Sequence, residues 1–143
     1  MGAGQDFTVM AWVKSSQTPT ANKWPTIISK FDNTNGYNMV LWADTSLNKW
    51  YFECYIGGTQ YTAWGAGSVN DGLWHHLAAV RQGNALQVFQ DGVPGNIVGV
   101  SSGSLANSSP LRMGITADSG AWSTFTGAVD EAYIYQRALG CRN

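Results

Sequence analysis

The chain has 143 residues, of which 44% are hydrophobic, 13% aromatic and 12% charged. Eight Lys and Arg against nine Asp and Glu give a formal net charge of −1, which excludes the basic surface that binds nucleic acid or anionic membranes. The length predicts one domain over residues 1–143, and no apolar run approaches the roughly 20 residues that a membrane-spanning helix needs.

Turn signals such as Asn35-Gly36, Asp71-Gly72 and Asp91-Gly92 recur at intervals of roughly 8–12 residues. The short runs between them are rich in β-branched and aromatic residues, which favour strands, and none shows a capped helical stripe. In chain order, the predicted strands are Phe7–Lys14, Thr26–Phe31, Tyr37–Trp42, Trp50–Ile56, Tyr61–Gly65, His75–Gln82, Ala85–Asp91, Val93–Val98, Leu111–Gly114 and Ala128–Gln136. This pattern predicts an all-β domain of two antiparallel sheets.

Alternation along the strands assigns side chains to faces. In the third strand Tyr37, Met39 and Leu41 share one face, and Asn38, Val40 and Trp42 share the other. In the fourth strand the side chains of Phe52, Cys54 and Ile56 oppose those of Tyr51, Glu53 and Tyr55. Because both faces carry large apolar groups, we expect one face to pack the core and the other to be partly exposed or covered by loops.

Four motifs appear in the order that is typical of one known fold. They are Phe7-Thr8-Val9-Met10-Ala11-Trp12-Val13-Lys14; Ile27-Ile28-Ser29-Lys30 with Gly36-Tyr37-Asn38-Met39-Val40-Leu41; Asp71-Gly72-Leu73-Trp74-His75-His76-Leu77-Ala78 with Leu86-Gln87-Val88-Phe89-Gln90-Asp91-Gly92; and Leu111-Arg112-Met113-Gly114 with Phe125 to Leu139. Together they resemble the laminin-G-like, concanavalin-A-like lectin and glucanase superfamily. The resemblance implies a two-sheet jelly-roll sandwich and an extracellular or secreted protein.

The resemblance also implies further segments at both ends of the domain, before Phe7 and after Leu139. Without them, an edge strand or a strip of core is uncovered. We expect a homo-oligomer contact or an unusually placed terminus to cover it. The resemblance places Trp12 and Trp74 in fold motifs, so we expect both side chains in the core.

The sequence argues against catalysis. Retaining glycosidases hold two carboxyl groups about 5–5.5 Å apart, whereas the only glutamates, Glu53 and Glu131, lie far apart in the sequence. His75 and His76 belong to a structural hairpin by the resemblance, and their imidazoles diverge on a strand. We therefore predict no enzyme activity, and a glycoside hydrolase is the least favoured function.

Aromatic residues are more numerous than the core of such a small domain needs. Flat rings stack on the C–H face of sugars, and polar neighbours bind the hydroxyls. The candidate carbohydrate-binding residues on the concave sheet and its loops are Trp42, Tyr51, Tyr55, Tyr61, Trp64 and Trp122. The alternative is that these rings cover an open face or form an oligomer interface.

A calcium site is the second candidate. The resemblance to pentraxins, which bind calcium through an early Asp-Asn pair and a later acidic loop, points to Asp32, Asn33 and Asp118. The alternative is plain turn chemistry, because Asp and Asn also bond to their own backbone in turns. Cys54 and Cys141 match no disulfide framework, which favours two free thiols over a bridge.

These observations predict a non-catalytic, lectin-like module that binds a polysaccharide or oligosaccharide, with calcium as a candidate cofactor. The alternative is a protein-interaction or structural module whose aromatic face forms a homo-oligomer interface. Neither nucleic acid nor membrane is an expected partner.

Overall fold

The computed structural model of the chain describes residues 5–43, 45, 47–116 and 123–140. Within these ranges the regular secondary structure consists of β-strands, joined by turns and irregular loops, and one residue has the 3-10 conformation. The strands are β1 (Phe7–Lys14), β2 (Thr26–Phe31), β3 (Gly36–Val40), β4 (Tyr51–Ile56), β5 (Thr59–Trp64), β6 (Trp74–Gln82), β7 (Ala85–Gln90), β8 (Val93–Gly99), β9 (Arg112–Met113) and β10 (Ala128–Tyr135). The described ranges contain no helix that is long and apolar enough to span a membrane.

Two antiparallel sheets of five strands each enclose the core. Sheet I has the order β10-β1-β6-β7-β8, and sheet II has the order β5-β4-β3-β2-β9. This confirms the predicted all-β class and two-sheet sandwich. The predicted strands all form, and β1 and β2 have the predicted bounds.

The core lies between the two inner faces, as the alternation predicts. Phe7, Val9, Ala11 and Val13 of β1 face inward from sheet I, and all four are fully buried. Phe7 stacks against Tyr37 of sheet II, with ring centroids 6.2 Å apart. The expectation that the side chains of Trp12 and Trp74 lie in this core is wrong. They are 37% and 44% exposed, because their positions alternate with the buried ones and point out of sheet I.

The chain after β10 turns back onto sheet I. The Thr8 hydroxyl donates a hydrogen bond to the Arg137 carbonyl at 2.9 Å, and it accepts one from the Leu139 amide at 2.9 Å. Leu139 and Gly140 then line shallow clefts on the outer face of this sheet, beside Val80 and Phe89.

Candidate functional site

A row of polar residues crosses the outer face of sheet II. The strand register aligns Arg112 of β9 with Ser29 of β2, Ser29 with Asn38 of β3, Asn38 with Glu53 of β4, and Glu53 with Thr62 of β5. Alternation explains the row, because the neighbours of these residues along each strand point to the opposite face. We call these five residues the polar row.

Hydrogen bonds join the centre of the polar row. The Ser29 hydroxyl donates to Oδ1 of Asn38 at 2.5 Å, and Nδ2 of Asn38 donates to Oε2 of Glu53 at 2.9 Å. Nε2 of Gln60 donates to Oε1 of Glu53 at 2.7 Å. Ser29, Asn38 and Glu53 are all buried, so these bonds replace the water that the polar groups lose.

Aromatic pairs flank the polar row on both sides along the strands. On one side Tyr51 of β4 packs against Trp64 of β5, with ring centroids 4.7 Å apart. On the other side Tyr55 of β4 packs against Phe31 of β2, with ring centroids 4.6 Å apart. Tyr51 and Phe31 are buried, whereas Tyr55 and Trp64 are half-buried and keep part of their surface in contact with solvent.

A groove of about 450 Å³ runs along this face. Tyr51, Tyr55 and Glu53 line it from β4, and half-buried Trp24 and buried Thr116 line it from the neighbouring loops. Its volume falls in the range of roughly 300–1,000 Å³ that small-ligand sites occupy. The groove therefore combines hydrogen-bonding groups and aromatic rings at one surface.

The electrostatics of the groove centre on Glu53. Burial raises the pKa of this carboxyl above its ordinary value, and the hydrogen bonds from Asn38 and Gln60 oppose that rise. Burial also raises the pKa of Tyr55 to about 12, with a further contribution from the Glu53 charge. The same two causes raise the pKa of Tyr51. Both phenols are therefore neutral hydrogen-bonding groups at physiological pH.

Three of the predicted aromatic residues lie together at this face. Tyr51 and Tyr55 line the groove, and Trp64 packs against Tyr51. The assignment of Tyr51 and Tyr55 to the face opposite Phe52 and Cys54 is confirmed by the register, in which Trp64 pairs with Tyr51.

Two others lie elsewhere, and their predicted placement is wrong. Trp42 is 0% exposed, because β3 ends at Val40 and the chain then turns the indole into the core. There its Nε1 donates to the Gln17 carbonyl at 3.2 Å. Tyr61 pairs with Cys54 on the core side of sheet II, since it lies three residues from Trp64 and alternation sends the two to opposite faces. Trp122 lies outside the described residues.

Sequence reasoning missed Trp24, Asn38 and Gln60 as site residues and gave Glu53 no binding role. A usable signal was present in β3 and β4, since Asn38 and Glu53 are polar residues within otherwise apolar strands. Trp24 precedes β2 in a loop, where no periodicity assigns a face.

Of the predicted calcium ligands, Asp32 caps the turn after β2. Its Oδ1 accepts hydrogen bonds from the amides of Thr34 and Asn35 at 2.9 and 2.7 Å. These backbone bonds lower the pKa of Asp32, that from Asn35 most strongly. Asn33 lines one end of the groove, and Asp118 lies outside the described residues.

Within the described ranges no group of three or more His, Cys, Asp or Glu is arranged to hold a metal ion. Calcium binding stays a prediction.

The other cluster of ionisable groups lies at the start of β6. His75 faces two carboxylates, with Nδ1 2.6 Å from Oδ2 of Asp91 and Nε2 2.8 Å from Oδ1 of Asp71. Burial lowers the pKa of His75, but the hydrogen bonds and charges of the two aspartates outweigh it and raise the pKa above its ordinary value. The cluster fastens the β6–β7 end, in keeping with a structural role for this hairpin.

Cys54 is a free thiol in the core, and burial raises its pKa to about 12. Such a thiol is unreactive at neutral pH. Cys141 lies outside the described residues.

A family model described as the concanavalin A-like lectin/glucanases superfamily, in its laminin G form, matches residues 1–141. The chain belongs to this superfamily. The resemblance seen in the sequence motifs is thereby confirmed. A comparison with curated protein sequences gives no match.

Solved structures with the same fold come from several kinds of protein. Domain 4 of an extracellular arabinanase from Geobacillus stearothermophilus, in complex with arabinotriose, is 22% identical, with a TM-score of 0.73 over 99% of this chain and 65% of that chain. The CBM40 module of the Ruminococcus gnavus IT-sialidase, bound to α2,3-sialyllactose, is 13% identical, with a TM-score of 0.74 over 97% of this chain and 80% of that chain. A heptameric SAP-like pentraxin from Limulus polyphemus is 15% identical, with a TM-score of 0.70 over 99% of this chain and 68% of that chain. These likenesses establish the fold.

Proposed function

We propose that the chain is a non-catalytic carbohydrate-binding module whose ligand lies in the groove on sheet II. The observation that carries the proposal is the polar row with aromatic rings on both sides. Sugars present hydroxyls around the ring edge and C–H groups on its faces, so they need these two kinds of partner at one surface.

Each part of the groove has a counterpart in a saccharide. The half-buried rings of Tyr55 and Trp24 offer partly exposed faces for stacking. The Glu53 carboxylate and the amides of Asn38 and Gln60 offer acceptors and donors for hydroxyls, and their mutual hydrogen bonds hold them in place before the ligand arrives. A site that is ordered in advance loses less entropy on binding.

Two of the structural neighbours support a saccharide ligand, since one is a complex with arabinotriose and the other a complex with α2,3-sialyllactose. Both have the same fold as this chain, and the fold alone does not fix a function. The neighbours therefore support the class of ligand, whereas the groove residues support its location.

The surroundings of Glu53 support a binding role over a catalytic one. Its hydrogen-bonding partners are two amides, whereas glycoside hydrolysis requires a second carboxyl group across the scissile bond. The other glutamate, Glu131, lies in β10 of the opposite sheet.

A glycan array followed by titration calorimetry tests the proposal. We expect Tyr55→Ala to weaken binding of the saccharide that the array selects by about fivefold or more, because a stacking ring contributes roughly 1 kcal/mol beyond the area it buries. Tyr133→Ala is the matched control, since Tyr133 is exposed on sheet I. Absence of saccharide binding by the unmodified protein, or equal loss in both variants, would contradict the proposal.

A second candidate function is a protein-interaction module that uses the outer face of sheet I. Trp12, Trp74, Ile97 and Tyr133 are exposed at separate points of this face, and large exposed apolar groups are typical of an interaction surface. Sedimentation equilibrium tests the homo-oligomer form of this candidate. The homo-oligomer form predicts that the unmodified protein dimerises as its concentration rises and that Ile97→Lys prevents this. An unmodified protein that stays monomeric at all concentrations would contradict it.

A further inference from the structure

Among the described residues, the Glu53 carboxylate at the middle of the groove has neutral amides and no basic side chain as partners. Its side chain is 8% exposed, and each oxygen accepts one hydrogen bond from a neutral amide. No basic side chain of the described residues contributes to its titration. A buried carboxylate is more often paired with Arg or Lys, so this arrangement requires an explanation.

The other charged and titratable groups of this face leave the carboxylate uncompensated. Tyr51 and Tyr55, the phenols beside it on β4, are neutral at physiological pH. Arg112, in the same row, lies three strands away, which is about 14 Å at the usual strand spacing. Its guanidinium donates to the Thr116 carbonyl at 3.2 Å, and Arg112 makes no contribution to the shifted pKa of Glu53.

Hydrogen-bonding capacity remains on both carboxylate oxygens. An ionised carboxylate has about four lone-pair positions, and the amides of Asn38 and Gln60 use one on each oxygen. Each oxygen can therefore accept one further donor from the groove side. Two hydroxyls on adjacent carbons of a sugar ring supply such a pair of donors.

We infer that the groove selects neutral saccharides, which donate two hydroxyls to Glu53, and rejects saccharides that place a carboxylate or sulfate there. The inference rests on the proposed function and names the substrate class of the same site. A ligand carboxylate lacks the donor that Glu53 requires, and its charge is repelled at short range in a partly desolvated groove. The chain thus differs in expected ligand from the sialidase module, whose bound saccharide is sialylated.

The test uses matched neutral and acidic saccharides. An array carries galactotriose beside trigalacturonic acid, and lactose beside α2,3-sialyllactose, and calorimetry then measures both members of each pair that gives a signal. We expect the unmodified protein to prefer the neutral member by about tenfold or more, because the like charges approach within a few ångströms. In Glu53→Gln the preference should fall to about twofold or less, because the charge is gone while the side-chain shape is kept.

Asp130→Asn is the matched control, since it removes one negative charge from exposed β10 on sheet I. The control should keep the full preference. Raising the salt concentration from about 20 mM to about 500 mM should reduce the preference of the unmodified protein for the neutral saccharide, because salt screens the repulsion of the acidic one. This measurement needs no variant, so it does not depend on whether a variant folds.

The outcomes separate the two proposals. Equal binding of neutral and acidic members, preference for the acidic member, or an undiminished preference in Glu53→Gln would overturn the inference and leave saccharide binding intact. Failure to bind any saccharide would overturn the proposed function, and the inference with it.

Discussion

The stability lost when Trp42 is replaced by alanine tests whether this side chain is packed in the core. Trp42 is 0% exposed, and a buried Trp→Ala change costs about 3–5 kcal/mol of unfolding free energy. Loss of the bond from its Nε1 adds little, because the Gln17 carbonyl keeps a second donor, Nδ2 of Asn70, at 2.9 Å. The unfolding entropy of a chain of 143 residues is about 0.3 kcal/mol per kelvin, so Tm should fall by roughly 10–17 °C.

Trp64→Ala is the matched control, because Trp64 is half-buried on the outer face of sheet II. Its removal should cost about 1 kcal/mol, or roughly 3 °C, mainly through the lost ring contact with Tyr51. Thermal unfolding followed by circular dichroism, with urea denaturation at one temperature, measures both variants. A Trp42→Ala protein as stable as the Trp64→Ala protein would refute the packing assigned to Trp42.

The remaining predictions concern pH, packing and calcium. Burial raises the pKa of Glu53, so the folded state loses stability as pH rises through that pKa. The Tm of the parent relative to that of Glu53→Gln should therefore fall by a few degrees between about pH 4 and about pH 7.5, and a rise over this range would contradict the raised pKa. A Cβ at Gly65 would overlap the indole of buried Trp50, so Gly65→Ala should cost about 1–3 kcal/mol in urea unfolding, and an unchanged midpoint would contradict this close approach. The raised pKa of His75 gives stability that is present below its unfolded value and is lost as pH rises through the folded one. The Tm difference between the parent and His75→Gln should accordingly shrink from about pH 5.5 to about pH 8. A constant difference would contradict a stabilising interaction of protonated His75 with Asp71 and Asp91. If calcium binds, it should raise Tm in the parent but not in Asp32→Ala, and a rise that persists in the variant would remove Asp32 from the ligand set.

The sequence predicted most of the fold because periodicity and turn residues are local signals. β1 and β2 have the predicted bounds, and Tyr51, Glu53 and Tyr55 share the predicted face. The prediction failed where a strand ends, because alternation applies only while the chain remains extended. Trp42 lies two residues beyond the end of β3 and turns inward for that reason.

The site was only partly predictable, because it depends on register between strands that are distant in the sequence. The alignment of Ser29, Asn38 and Glu53 follows from the pairing of β2, β3 and β4, which no single segment encodes. Trp24 comes to the groove from a loop, whose path depends on tertiary contacts. The number of aromatic residues predicted that some rings lie at the surface, but it did not reveal that polar groups lie between them.

The central claim is that the outer face of sheet II binds the ligand. The most direct measurement is an amide and indole NMR titration with the neutral saccharide that the array selects. We predict that shift changes concentrate on β3, β4 and β5 and at the Trp24 indole, with Asn38, Glu53 and Tyr55 among the largest. Changes confined to sheet I, around Trp12 and Trp74, would contradict the claim.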